Sequence, residues 1–177
     1  MKRLVTLLVT ALLMTAALCV SASAADYQSA AEDLSAIGMF RGTVNGGFEL
    51  DRAPKRSEAA IMLVRLYGAE EEAAAAYQSG EISHPFKDVG PIASPYVAWL
   101  YTKGITKGAT ATTFNSNAAC TDKNYVVFLL RALGYEDGKD FQYAESLTFA
   151  EKLGFYQADY FDGPFLRDDL AAITLQA

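Results

Sequence analysis

The stretch Gly38-Met39-Phe40-Arg41-Gly42-Thr43 returns 66 positions later as Gly104-Ile105-Thr106-Lys107-Gly108-Ala109. In the same register Phe48 returns as Phe114, and Arg65-Leu66-Tyr67-Gly68 as Arg131-Ala132-Leu133-Gly134. Self-similarity at a fixed spacing is the mark of stacked supersecondary units, each too small to bury its apolar face alone. Binding surfaces are commonly built from such repeats and catalytic constellations seldom are, so the duplication points to recognition rather than chemistry.

Lys2 and Arg3 precede an apolar and small run from Leu4 to Val20, and Ala22 and Ala24 carry the spacing of a cleavage site after Ala24. Residues 1–24 are therefore expected to be an export signal. The alternative, an uncleaved membrane anchor, is disfavoured because crossing a bilayer takes ~20 apolar residues and this run is shorter. Cys19 follows Leu18 rather than a small residue, so lipid attachment is not expected. Without those 24 residues the chain keeps 153, with 13 basic against 21 acidic side chains and a net charge of −8 with histidine neutral. An acidic product argues against nucleic acid, whose phosphates demand a basic face. Cys120 is then the single cysteine, which excludes an intrachain disulfide, and its apolar neighbours predict a buried thiol that packs rather than reacts.

Periodicity is helical throughout. Ala30, Leu34 and Ile37 share one helical face that Gly38 closes, and Ala59, Leu63 and Leu66 share another that Gly68 closes. Between them residues 41–51, with Gly42, Asn45, Gly46, Gly47 and Phe48, read as a tight loop, and Pro54 as a residue of the following helix's first turn. A linker with a helix over about 69–78 and a break from Gly80 to Pro85 leads to the second unit. There Tyr96-Val97-Ala98-Trp99-Leu100 is helical and closed by Gly104, and a second helix runs from Asp122 to Leu133, with Thr121 as N-cap and Tyr125, Leu129 and Leu133 on one face. A degenerate third copy has a first helix over Tyr143–Leu153 closed by Gly154. Its second helix opens at Arg167 and is barely begun when the chain ends in Ile173–Ala177, an ending consistent with cargo in a longer natural protein. Phe155, Tyr156, Tyr160, Phe161 and Phe165 crowd the loop between them as either a satellite core or a sugar-stacking platform. The expectation is an all-α chain of six principal helices in three pairs plus the linker helix, with units over 25–68, 86–137 and 138–177 and the linker over 69–85.

Phe86-Lys87-Asp88-Val89, a helix, Gly104-Ile105-Thr106-Lys107-Gly108, Phe114 and a helix ending Leu130-Arg131-Ala132-Leu133-Gly134 together resemble the S-layer homology module. Lys55-Arg56-Ser57-Glu58 is similar to that family's Thr-Arg-Ala-Glu signature. The resemblance covers about residues 27–177. It implies three modules in a pseudo-threefold prism whose grooves hold pyruvylated secondary cell-wall polysaccharide, and a role in anchoring exported proteins to the Gram-positive wall or S-layer.

A pyruvyl ketal presents a carboxylate, and a helix start with an arginine in its first turn suits an anion. Arg56 holds that position with Lys55 beside it; the alternative for Arg56 is an ion pair with a loop acid such as Asp51. In the second unit the matching stretch is Thr121-Asp122-Lys123-Asn124, where an acid replaces the arginine and is expected to repel an anionic sugar unless Lys123 swings in. Arg167 restores the arginine in the third. With Asp88 and Lys107, both in motifs of the resemblance, the expected carbohydrate-binding set is Lys55, Arg56, Asp88, Lys107 and Arg167. Arg65 and Arg131 are expected to be structural, because nine helical steps put Arg65 opposite Arg56. The family's groove tryptophan falls at Ile92, and Trp99 is expected in the core.

His84 is the only histidine, which removes histidine-dependent triads and His-rich metal sites. Glu70-Glu71-Glu72 reads as a solvated helix face and Asp168-Asp169 as acids complementing a helix start. No enzyme, cofactor or metal site is expected, and no membrane contact once the signal is removed. The expected partner is an anionic, pyruvylated cell-wall polysaccharide; the alternative is an extracellular scaffold whose grooves take another protein.

Overall fold

The computed structural model describes residues 28–43, 46–158 and 163–177. The expected export signal, Tyr160 and Phe161 lie outside them. Seven α-helices occur among the described residues: α1 (Gln28–Ala36), α2 (Arg56–Leu66), α3 (Glu70–Ser79), α4 (Ser94–Thr102), α5 (Asp122–Ala132), α6 (Ser146–Leu153) and α7 (Arg167–Gln176), with a 3-10 turn at Tyr143–Glu145 leading into α6. The all-α expectation holds, and among the described residues the only β pairings are isolated bridges, Lys55 with Ala119 and Asp137 with Phe141.

Local chemistry sets the helix ends. Gly38, Gly104 and Gly154 take φ of 78°, 74° and 89°, a left-handed geometry that glycine adopts without a Cβ clash. After two of these glycines the next N–H turns back to the helix, Met39 to Leu34 O and Ile105 to Leu100 O, both at 2.9 Å. At α5 the Thr121 hydroxyl accepts from the Asn124 N–H at 3.2 Å, the expected cap. Pro54 lies just outside α2, which begins at Arg56, and its carbonyl accepts from the Cys120 N–H at 2.7 Å. The third second-helix, α7, has 10 residues against 11 in α2 and α5, so it is of nearly full length rather than barely begun.

The helices pack largely across long stretches of sequence. Along the chain, α1 packs on α7, α6 on α5, and α4 first on the neighbouring α3 and then on α2. The second helices meet one another, α2 with α5 and α5 with α7, around Leu63, Val64, Tyr125, Leu129, Leu130, Leu170 and Ile173, all buried. The Tyr125 hydroxyl, fully buried, pairs with Thr174 Oγ1 at 2.5 Å and ties α5 to α7. Ile37 and Leu133, placed by periodicity on core faces, are 62 % and 47 % exposed because both fall beyond the last residue of their helices. Phe155, Tyr156 and Phe165 are buried, which settles those three as core rather than platform. Trp99 is buried as expected, with its Nε1 donating to Glu72 Oε1 at 3.0 Å.

Candidate functional site

The starts of α2 and α7 are each sewn to a loop distant in sequence. The N–H groups of Arg56 and Ser57 donate to Ala118 O and Ser116 O at 2.9 and 3.1 Å; those of Arg167 and Asp168 donate to Arg52 O and Leu50 O at 3.0 and 3.3 Å. The second pair of acceptors sits 66 positions before the first, so the repeat preserves the docking itself. These N–H groups are thereby used up by protein, and the helix start is not the open anion site that the sequence suggested. Glu58 also takes part, accepting from the Lys55 N–H at 2.7 Å, as Asp169 does from the Leu166 N–H at 2.7 Å.

Arg56 follows the same plan with its side chain. It is 8 % exposed, its Nε donates to Phe114 O at 2.8 Å, and its guanidinium carbon lies 4.9 and 4.6 Å from the centroids of Phe114 and Phe128. Burial depresses its pKa, yet a guanidinium remains charged at neutral pH. Among the described residues neither Nη has a hydrogen-bond partner, and Arg56 lines the groove beside it. Asp51 is not its partner. Arg167 is the repeat image: Nε donates to Phe48 O at 2.8 Å and the guanidinium lies 4.8 Å from the Phe40 centroid. Phe48 and Phe114 are equivalents across the repeat.

Two grooves follow, one beside each arginine. The larger, about 490 Å³, is bounded by Arg56, Lys107, Asn124, Arg131 and Tyr143 over Val127 and Phe128, and no carboxylate lines it. Lys107 is exposed and no hydrogen bond or ion pair engages its ammonium. Tyr143 is 47 % exposed, with its hydroxyl donating to Asn124 Oδ1 at 3.3 Å and the Lys123 ammonium 5.3 Å from its ring. An exposed aromatic face beside polar groups and fixed cations is the composition that a sugar acid calls for. The smaller groove, about 240 Å³, is bounded by the repeat equivalents Arg41, Glu58, Arg65 and Arg167 over Ile61 and Met62. Position by position, Arg41 stands for Lys107, Arg65 for Arg131 and Glu58 for Asn124.

Arg65 and Arg131 are thus ion-paired and groove-lining at once. Arg131 pairs with Asp137 at 3.1 Å and donates to Ile105 O at 3.2 Å, while its buried Nε has no partner. The helical wheel separates Arg65 from Arg56 correctly, but each groove combines the end of one second helix with the start of another. Sequence reasoning missed Arg131 and Tyr143 for that reason. The faithful return of Arg65 as Arg131 was the available signal for the first; none marks Tyr143.

The other expected site residues are placed as follows. Asp88 does not line the groove: its carboxylate accepts from the N–H groups of Phe114, Asn115 and Ser116 at 2.7, 2.6 and 3.1 Å and so fixes the loop whose carbonyl holds Arg56. Burial opposes its ionisation, but those donors prevail and hold its pKa below the ordinary carboxylate value. Lys55 is exposed and lines neither groove. Asp122 does not stand as a bare repulsive acid: it accepts from the Tyr156 hydroxyl at 2.7 Å, and Lys123 turns away to donate to Ala144 O at 3.0 Å. Close approach shapes the loop as well, since a Cβ on Gly108, at φ 78°, would meet the Phe86 ring at 2.3 Å. Ile92, at the family's tryptophan position, is 81 % exposed and lines neither groove. Among the described residues no group of His, Cys, Asp and Glu could hold a metal ion, and no helix is long and apolar enough to cross a membrane.

The S-layer homology domain family model matches residues 85–121, and the chain is similar to that family over this stretch. No curated protein matches the sequence. Such domains attach proteins at the cell surface to polymers of the wall and are binding rather than catalytic modules. The matched stretch supplies Lys107, Gly108, Asn115 and Ala118 to the larger groove, together with Asp88 behind it.

Proposed function

We propose that this chain anchors itself to the cell wall by binding an anionic, pyruvylated polysaccharide in the groove between Arg56, Lys107, Arg131 and Tyr143. Three cations converge on a cavity of about 490 Å³ without a lining carboxylate, and this observation carries the reading. The Nη groups of Arg56 offer a fork to the ketal carboxylate, Lys107 a mobile point charge, and Tyr143 a face for the sugar ring. Asp88 positions the loop rather than touching ligand. The helix packing supports a wider arrangement of three modules over 25–68, 86–137 and 138–177, related by a pseudo-threefold axis, since α1, α4 and α6 each lean on a second helix of a different unit.

Secretion to the Gram-positive wall follows on this reading from the residues at 1–24. Co-sedimentation with purified sacculi, retaining or stripped of their secondary polymer, and with the polymer depyruvylated, tests it. Binding is expected only to sacculi with intact pyruvylated polymer. Lys107→Ala is expected to weaken it roughly tenfold, about 1.4 kcal/mol, with the fold retained because no hydrogen bond or ion pair from a described residue engages the ammonium. Equal binding to depyruvylated sacculi would contradict the carboxylate reading, and no binding to any sacculi would favour the scaffold alternative.

A further inference from the structure

The two grooves share one design and differ in what neutralises them. Glu70 does not itself line the smaller groove but pairs with two of its cations. Its carboxylate meets Arg41 Nη2 at 2.7 Å, Arg65 Nη2 at 3.1 Å and the Tyr96 hydroxyl at 2.7 Å. Burial opposes Glu70's ionisation, but Tyr96, Arg65 and Arg41 together hold its pKa below the ordinary value. Glu58 supplies the second negative charge. It is held by Arg52 at 2.7 and 2.9 Å and stands 3.5 Å from Arg167 Nη1. Each of this groove's three guanidiniums therefore already faces a carboxylate of the same chain.

The larger groove lacks both of these carboxylates, and Asp137 takes Glu70's part at Arg131 alone. Asn124 replaces Glu58, and the position equivalent to Glu70 is Glu136, which pairs outward with Lys139 at 3.2 Å. Asp137 reaches Arg131, but among the described residues no acid pairs with Lys107 or with the Nη atoms of Arg56. The place where a third groove would form carries Asp122, bonded to Tyr156, and Gln157 where the other grooves have Arg41 and Lys107.

From these contrasts we infer that the chain is a one-site receptor: a single ketal carboxylate binds in the Lys107 groove, while the Arg41 groove is a latent copy whose cations are already paired with Glu70 and Glu58. The inference rests on the anionic-glycan reading and adds to it the number of sites and the residues that set that number. A polymer is then gripped once per chain, so avidity depends on how many chains share a polymer, not on two grooves of one chain. Opening the latent groove requires removing one of these two charges, because a second carboxylate brought to the groove would face like-charge repulsion from them.

Isothermal titration of the full chain with a methyl hexopyranoside bearing one 4,6-pyruvyl ketal reads the stoichiometry. The parent is expected to bind about one equivalent, Arg41→Ala to leave stoichiometry and affinity unchanged, and Lys107→Ala to weaken the site about tenfold. Glu70→Gln, which keeps the side-chain shape and one acceptor oxygen while removing the charge, is expected to add a second, weaker equivalent that Arg41→Ala then abolishes. Circular dichroism of each variant establishes that it is folded; should Glu70→Gln fail to fold, Glu58→Gln, which frees Arg167 in the same groove, takes its place with the same expected gain. Two equivalents in the parent, or a loss of stoichiometry in Arg41→Ala, would overturn the inference while leaving glycan binding intact. A folded Glu70→Gln that still binds one equivalent would overturn Glu70's role. Absence of heat in the parent would instead overturn the glycan reading, and the one-site inference with it.

Discussion

Replacing Arg56 by alanine removes a contact between two units as well as a charge from the groove, and its cost can be worked from the geometry. The Nε bond to Phe114 O at 2.8 Å, a charged donor in a buried setting, is worth about 1.5–3 kcal/mol. The guanidinium over Phe114 and Phe128 adds about 0.5–2 kcal/mol. Against these stands the desolvation of the cation, which alanine relieves and which is visible in the depressed pKa. A net loss of about 2–3 kcal/mol follows, or about 5–10 °C in melting temperature for a domain of this size. Urea denaturation followed by circular dichroism at neutral pH should show a lower midpoint with an unchanged slope. Arg56→Lys, which keeps the charge without the Nε donor, should fall between. A loss below about 1 kcal/mol for the alanine variant would refute the claim that Arg56 clamps one unit to the next.

Asp88→Asn should reduce amide-exchange protection at Phe114, Asn115 and Ser116, since the amide accepts less strongly than the carboxylate; because the folded pKa is depressed, the Asp88 contribution is fully present above about pH 3.9 and is lost as pH falls through the folded value. His84 stacks between Tyr77 and Phe86 and accepts from the Phe86 N–H at 3.1 Å, a part that only the neutral ring can play. Burial lowers its pKa, with nearby Asp88 opposing, so its contribution is complete above about pH 6.5 and is lost as pH falls through the folded value; thermal melts of His84→Gln should lack this step. Cys120 is buried with its pKa pushed up to about 12, so peptide mapping after iodoacetamide at pH 8 should find it unmodified in the folded protein and alkylated in urea. Asp122→Arg should lower stability by severing the Tyr156 bond and should add no glycan site, because Gln157 stands where the other grooves carry Arg41 or Lys107.

The helices, their glycine stops and the Thr121 cap are written in local chemistry, and each could be read from a handful of adjacent residues. What could not be read is which helix meets which. Periodicity marks a buried face at Ala30 and Leu34 but carries nothing about the partner, and the partner is α7, far along the chain. The site was legible to the same depth. Arg56 and Lys107 stand out from their motifs, yet the groove they share with Arg131 and Tyr143 exists only because the start of α2 docks on the loop before α5. Likewise Arg41 and Lys107 look interchangeable in sequence, and only the packing of α3 brings Glu70 against one of them.

Titration of isotopically labelled protein with the pyruvylated polysaccharide, read by amide chemical shifts, tests the central claim most directly. The largest changes are expected at Lys107, Gly108, Asn124, Arg131 and Tyr143, with Arg41, Gly42 and Arg65 unmoved. Shifts confined to residues outside the Lys107 groove, or none on saturating polymer, would contradict it.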